Sequence, residues 1–96
     1  MVTTVLQATV AEDMWGLLAE IYSRETANLP PEIAQTSLLQ GAKERTTWQI
    51  VTVWKSREAL DAMRASGETP AGVRMFRMAG AEPSLTIFDV LLSAPN

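Results

Sequence analysis

The segment Thr46 to Trp54, TTWQIVTVW, constrains the fold more than any other stretch of the chain. Successive residues of a strand point to opposite faces. On that rule Trp48, Ile50 and Trp54 share one face, and Val51 and Val53 share the other. Near the C-terminus, Phe88, Val90 and Leu92 oppose Leu85, Ile87 and Leu91 in the same way. A sheet with helices on one side ordinarily turns polar residues to the other. Here both sides are apolar, so helices can cover one face and something else must cover the second. Left wet, that face would be a larger patch than monomers usually tolerate. Pairing of two copies, sheet against sheet about a two-fold axis, is the simplest closure. The pattern therefore predicts a homodimer through one face of the sheet.

Chain length agrees with that need. Ninety-six residues make one domain, spanning 1–96, and a domain of this size buries only about 60% of the surface its unfolded chain exposes. No cysteine is present to cross-link it, while the hydrophobic content of 47% leaves apolar surface for association. The sequence also has no histidine. Without Cys or His the usual ligands for zinc, copper and haem are missing, so neither a metal site nor a cofactor is expected. The same absence removes Ser-His-Asp and Cys-His nucleophilic systems. None of the five glycines falls in a phosphate-cradling motif. A net charge of −3 with no basic stripe argues against a nucleic-acid partner. No apolar run reaches the length needed to span a membrane, and Met1 to Asp13 lacks the basic start of a signal peptide. A cytoplasmic location is the expectation.

Along the chain, Val2 to Val10 is rich in β-branched residues and reads as a first strand. Thr9 and Glu12 have capping-box spacing, so a helix is predicted to begin near Val10. Met14, Leu17, Leu18, Ile21 and Tyr22 give it an apolar side, and Pro30-Pro31 should end it. Ile33 to Leu39 and Thr46 to Trp54, joined by the turn Gly41 to Glu44, predict an antiparallel hairpin. Ser56 can cap a second helix, Arg57 to Ser66, which Gly67 stops. Thr69-Pro70 reads as another helix start with Pro at its first position, followed by Val73, Met75, Phe76 and Met78 as its apolar side. Ser84 to Leu92 is the last strand, and Ser93 to Asn96 should fray. The fold class is therefore α+β: a ferredoxin-like β-α-β-β-α-β order with an extra short helix, a four-stranded antiparallel sheet and helices on one face.

The stretch Val53-Trp54-Lys55-Ser56-Arg57-Glu58-Ala59-Leu60-Asp61-Ala62-Met63 resembles the antibiotic biosynthesis monooxygenase family. The likeness lies in a strand ending in Trp, a small capping residue, and a helix that starts on an E-A-L pattern. The element order fits along nearly the whole chain. The resemblance implies a dimeric α+β barrel, and it implies cofactor-free oxygenation of polycyclic phenols, haem degradation, or activities still unassigned. In the cofactor-free chemistry the substrate loses a proton and its delocalised anion passes electrons to O2. The protein supplies a dry pocket, orientation and a few polar groups. Carried across, the strand-end Trp is Trp54. This chain has Ile50 where studied oxygenases of this kind place an Asn, Leu60 where they place a Tyr, and Met63 where many members carry a His. Their Arg would fall near Arg74 or Arg77. The haem-degrading branch needs a ligand His, which this sequence lacks.

Each candidate residue has a functional reading and an ordinary one. The Trp54 indole N–H could stabilise an oxyanion, or could bond a backbone carbonyl as buried Trp commonly does. In the orientation that the resemblance implies, Trp48 and Ile50 would line the same cleft between sheet and helices. Trp15, Leu18 and Tyr22 could wall an aromatic ligand, or form helix-on-sheet core; Tyr22 is the one phenol able to act as an acid or base. Met63, Met75, Met78 and Phe76 could make a soft, adaptable apolar wall, with Leu60 as a further lining candidate, or fill the core. Asp89 could be a desolvated base, or could meet an Arg at the strand end. Arg74 could hold an acidic or phenolate group, or lie on a solvated helix face. The reading from sequence is a cofactor-independent monooxygenase-like protein for a flat, hydrophobic, phenolic or enolisable ligand. Trp54, Tyr22, Arg74 and Asp89 are its catalytic candidates. A non-catalytic small-molecule-binding dimer, or an isomerase or cyclase on the same barrel, are the alternatives.

Overall fold

A computed structural model describes residues 1–95. Four strands, β1 (Val2–Thr9), β2 (Ile33–Gln40), β3 (Thr47–Trp54) and β4 (Ser84–Asp89), form one antiparallel sheet in the order β2-β3-β1-β4. Three α-helices, α1 (Trp15–Glu25), α2 (Arg57–Ala65) and α3 (Ala71–Met78), interleave with them, and a 3-10 turn at Glu12–Met14 leads into α1. This is the ferredoxin-like α+β order that the alternation and helix periods predict.

Register shows which residues share a face. Val2, Thr4, Leu6 and Ala8 of β1 stand opposite Trp54, Thr52, Ile50 and Trp48 of β3. Six of those eight residues are buried hydrophobics, Thr4 is buried too, and Thr52 is partly buried. That face meets the helices. Its main cluster gathers Leu6, Ile50 and Trp48 with Leu18 and Ile21 of α1 and Met75 and Phe76 of α3. A second, smaller cluster holds Val2, Trp54 and Leu60, with Ile33, Met63 and Ile87 against it. On the opposite face Val5, Val51 and Val53 are half-buried, while Leu39 and Phe88 are 46% and 54% exposed. Gln7 and Gln49 hydrogen-bond each other on the same face. The open face is thus apolar at its centre and polar around it.

Helix ends follow local chemistry. The Ser56 hydroxyl accepts from the Ala59 N–H at 3.1 Å, as an N-cap should, and Gly67 leaves α2 at φ +77°. Gly41 closes the β2–β3 turn, where an added Cβ would collide with the Glu44 carbonyl.

Four boundaries differ from expectation. The Thr9–Glu12 capping box does not form, because Thr9 remains in β1 opposite Thr47 and the Val10 N–H bonds the Thr46 carbonyl at 2.8 Å. Pairing holds the chain extended through Val10, and the 3-10 turn starts after Ala11 with no side-chain cap. Helix α1 ends at Glu25, well before Pro30-Pro31; the Thr26 hydroxyl bonds the Tyr22 carbonyl at 2.7 Å there. Pro70 is the N-cap of α3 and precedes its first helical residue. Finally, β4 stops at Asp89, since its one partner, β1, begins at Val2 opposite that residue. The Val90 N–H makes a last bond to the Met1 carbonyl, and Leu91 and Leu92 lie almost fully exposed outside the sheet.

Candidate functional site

Between the two core clusters the helix-covered face leaves a cavity of about 170 Å³. Its floor is sheet: Thr4 and Leu6 of β1, Ile50, Thr52 and Trp54 of β3, and Ile33 and Thr36 of β2. Helix α2 contributes Leu60 and Met63, and the N-terminal part of α3 contributes Gly72, Val73 and Met75. Gly72 matters because α3 lies directly on the sheet there. A Cβ at this position would come within 2.6 Å of Leu6 Cδ1, so any larger residue would push into the cleft wall.

The lining is mainly apolar, and its polar groups come mostly from one row. Thr4, Thr52 and Thr36 occupy facing positions on three adjacent strands. The Trp54 indole N–H donates to Thr4 Oγ1 at 3.1 Å. Thr36 and Thr52 place their hydroxyl oxygens 3.4 Å apart. Among the lining residues, the two with ordinarily charged side chains are Glu25 and Arg64, both exposed. They mark the mouth, with Leu29 beside them.

Of the residues singled out from sequence, the structure brings Trp54, Ile50, Leu60, Met63 and Met75 together around this cavity, while Met78 is exposed outside it. Trp54 is buried, and its N–H meets the Thr4 hydroxyl rather than a backbone carbonyl. Trp48, Leu18 and Phe76 are buried in the main cluster, with Tyr22 and Trp15 packed against it, all outside the cavity lining. The Trp15 N–H donates to the Val10 carbonyl at 2.9 Å, and its ring lies 6.1 Å from that of Trp48. Trp48 keeps its own buried N–H without a hydrogen-bond partner among the described residues. Arg74 is exposed and away from the cavity. Asp89 is exposed as well, 3.3 Å from Arg57, which is the ordinary reading of that acid. Arg77, the other position considered for the family's arginine, pairs with Glu82 at 2.8 Å on the surface. That hydrogen bond, with the attraction between the charges, holds the Glu82 carboxyl below its ordinary value and raises Arg77.

Sequence reasoning missed Thr4, Thr36, Thr52, Glu25 and Arg64. Thr52 was within reach of the two-residue rule, since it stands between Ile50 and Trp54 on their face. Thr4 and Thr36 needed the strand register, and the mouth residues needed the placement of the α1 and α2 ends around the cleft.

No protein-family model matches the sequence, and no curated protein matches it. Solved structures do. A protein named as an antibiotic biosynthesis monooxygenase from Deinococcus radiodurans superposes with a TM-score of 0.75 at 9% identity, over 100% of this chain and 98% of that one. A mutant of SnoaB, a cofactor-independent oxygenase from Streptomyces nogalater, gives 0.73 at 17% identity, over 99% and 97% of the two chains. The haem-degrader MhuD from Mycobacterium tuberculosis, with two haems bound, gives 0.66 at 20% identity, over 99% and 100%. These matches run the full length of the chain, and at such low identity they speak for its architecture: the chain has the α+β fold of the antibiotic biosynthesis monooxygenases.

Proposed function

We propose that the protein binds a flat, hydrophobic phenolic or enolisable small molecule in the cleft between sheet and helices, and acts on it as a cofactor-independent monooxygenase. The observation that carries this reading is the cavity itself: an apolar slot of about 170 Å³ whose floor bears a short row of hydroxyls. Small-molecule sites have this character, mostly apolar with a few placed polar groups. A cavity of roughly 150 Å³ accommodates one benzene ring, so a larger ring system would extend through the mouth past Glu25 and Arg64.

The chemistry asks little of such a site. Loss of a proton from an activated methylene gives a delocalised anion, which transfers electrons to O2 and couples with it. Elimination of water then leaves a carbonyl, so the methylene and O2 become a ketone and water. One oxygen atom enters the product, the other leaves as water, and the substrate supplies all four electrons. Glu25 is the lining carboxylate able to take the first proton, and Arg64 the lining cation able to hold an acidic substituent. Haem does not fit the donor set here. The lining offers threonine hydroxyls, the Glu25 carboxylate at the mouth and the thioethers of Met63 and Met75, with no histidine to hold the iron.

The functional unit in this reading is a homodimer. Val5, Val51, Val53 and Phe88 form the apolar centre of the open sheet face, and the polar residues around them give the patch the composition of an interface. Val53→Glu should yield a monomer in analytical ultracentrifugation at low micromolar concentration; a wild type already monomeric there would overturn the pairing.

Oxygen uptake with an anthrone-type polycyclic phenol, with no added cofactor, tests the activity. Uptake above autoxidation, lost on heat-unfolding, is the expected result. A second reading is a binding protein without turnover, favoured by the exposure of Arg74 and Asp89 and by the position of Tyr22 outside the cavity. Binding of such phenols without uptake would establish that reading instead.

A further inference from the structure

Thr4 is the buried polar side chain among the described residues, 8% exposed, and it stands at the middle of the cleft floor between Val2 and Leu6. A hydroxyl has one proton to give and two lone pairs to offer. The Trp54 N–H uses one lone pair of Thr4, at 3.1 Å. The threonine proton has no such assignment: among the described residues Trp54 is the one group hydrogen-bonded to the Thr4 side chain, and there Thr4 accepts. Thr36 and Thr52 differ, because their hydroxyls face each other at 3.4 Å and either can donate to the other. A buried hydroxyl proton left without an acceptor is unfavourable, and buried polar groups in native structures nearly always find a partner. Thr4 lines the cavity, so an occupant of the cavity is placed to supply that acceptor.

We infer that the Thr4 hydroxyl is the hydrogen-bond donor that receives the ligand's oxygen, with Trp54 acting through it as a positioning residue. The inference rests on the cleft being the ligand site. Trp54 commits a lone pair of Thr4 and so restricts where its proton can point; the N–H bond also polarises the hydroxyl and strengthens its donation. The ligand class follows. It carries an acceptor oxygen, a carbonyl or a phenolate, on an otherwise apolar flat body, and the oxygen sits over β1 between Trp54 and Leu6. Donation to that oxygen favours its anionic form, which is the state an enolisable or phenolic substrate must reach.

The test uses 1-naphthol, which has an ionisable oxygen, and naphthalene, which has none. Binding of both, and the pH at which bound naphthol ionises, are read from their absorbance and fluorescence. Thr4→Val should still bind naphthalene, at least as tightly as the wild type, and raise the ionisation midpoint of bound naphthol by about one pH unit or more, the effect of losing a hydrogen bond to a charged oxygen. Thr4→Ser should retain the wild-type midpoint. Trp54→Phe, which leaves no indole N–H unpaired, should raise the midpoint by a smaller amount. Equal midpoints in wild type and Thr4→Val, with both probes bound, would overturn the role of Thr4 while leaving the cleft as the ligand site. A midpoint unchanged by Trp54→Phe would overturn the relay through Thr4, and a shift larger than that of Thr4→Val would show that Trp54 meets the ligand directly and overturn it as well. Thr4→Ser behaving as Thr4→Val would trace the effect to packing and overturn the inference. Failure of both probes to bind the wild-type cleft would remove the ligand site itself, and this inference with it.

Discussion

Beneath its helices the sheet carries two apolar clusters that are closed in different ways. The larger one, under α1 and α3, contains Leu18, Ile21 and Phe76 with almost no exposed surface. The smaller one, under α2, has three buried members, Val2, Trp54 and Leu60. Thr4 and Thr52 lie at the division, each flanked along its strand by one residue from each cluster. Where the hydroxyl row crosses the sheet, the core parts and the cavity lies. The same strands thus build a close-packed half, which maintains the fold, and an open half, which a ligand can complete.

Several substitutions put that contrast to the test. Phe76→Ala should show the largest effect, destabilising by about 3–5 kcal/mol because it empties the middle of the dense half; urea unfolding measures it. A loss below about 2 kcal/mol would mean that this half is not close-packed. Leu18→Ala and Leu60→Ala remove the same atoms from the two halves. Leu18→Ala should fall near the upper end of the usual range of about 2–5 kcal/mol and Leu60→Ala near the lower end, since Leu60 already borders a void and has fewer contacts to lose. Equal costs would erase the distinction between the halves. Thr52→Val should change stability by about 1 kcal/mol or less, because Thr36, its hydroxyl neighbour, is only half-buried. The same variant should bind naphthalene more tightly, which fluorescence titration would show; weaker binding would take Thr52 off the cleft floor.

The smallest effect belongs to the surface pair outside both halves. Arg77 holds the Glu82 carboxyl below its ordinary value through their hydrogen bond. The contribution of a carboxyl lowered in the folded state is complete above its unfolded value and is lost as the pH falls through the folded one. Both groups are exposed and screened, so Glu82→Gln should leave the thermal midpoint at neutral pH nearly unchanged. A clear drop would show that α3 depends on this pair.

Much of the fold was legible because periodicity survives without context. The alternation in Thr46 to Trp54 separates Trp48, Ile50 and Trp54 from Val51 and Val53, and the structure keeps that division. Ser56 caps α2 as its residue type indicates. Boundaries were less legible wherever a long-range hydrogen bond overrode a local signal. Thr9 and Glu12 have the spacing of a capping box, yet Val10 is held by the carbonyl of Thr46, distant in sequence and adjacent in space. Leu91 and Leu92 continue the alternation of β4, yet β1 has no residue left to pair with them.

The site divides along the same line. Trp54, Ile50, Leu60 and Met63 could be named beforehand because they lie in or beside the short stretch that carries the family resemblance, a strand end and the helix after it. Thr4, Thr36 and Thr52 could not, since they come from three strands and meet only in register. Arg74 and Arg64 show the rest of the difference: both are arginines on short helices, and only Arg64 lies on the side of its helix that borders the cleft. Composition and short-range period were enough for the element order, the division of the central strand into two apolar faces, and the absence of thiol and imidazole chemistry, because those properties are local; which of the two faces meets the helices was settled only by packing. Packing and pairing were needed to establish that Trp54 donates to Thr4, that the core splits along a threonine row, and where the mouth opens. Each of these depends on distances between residues tens of positions apart, which no local pattern specifies.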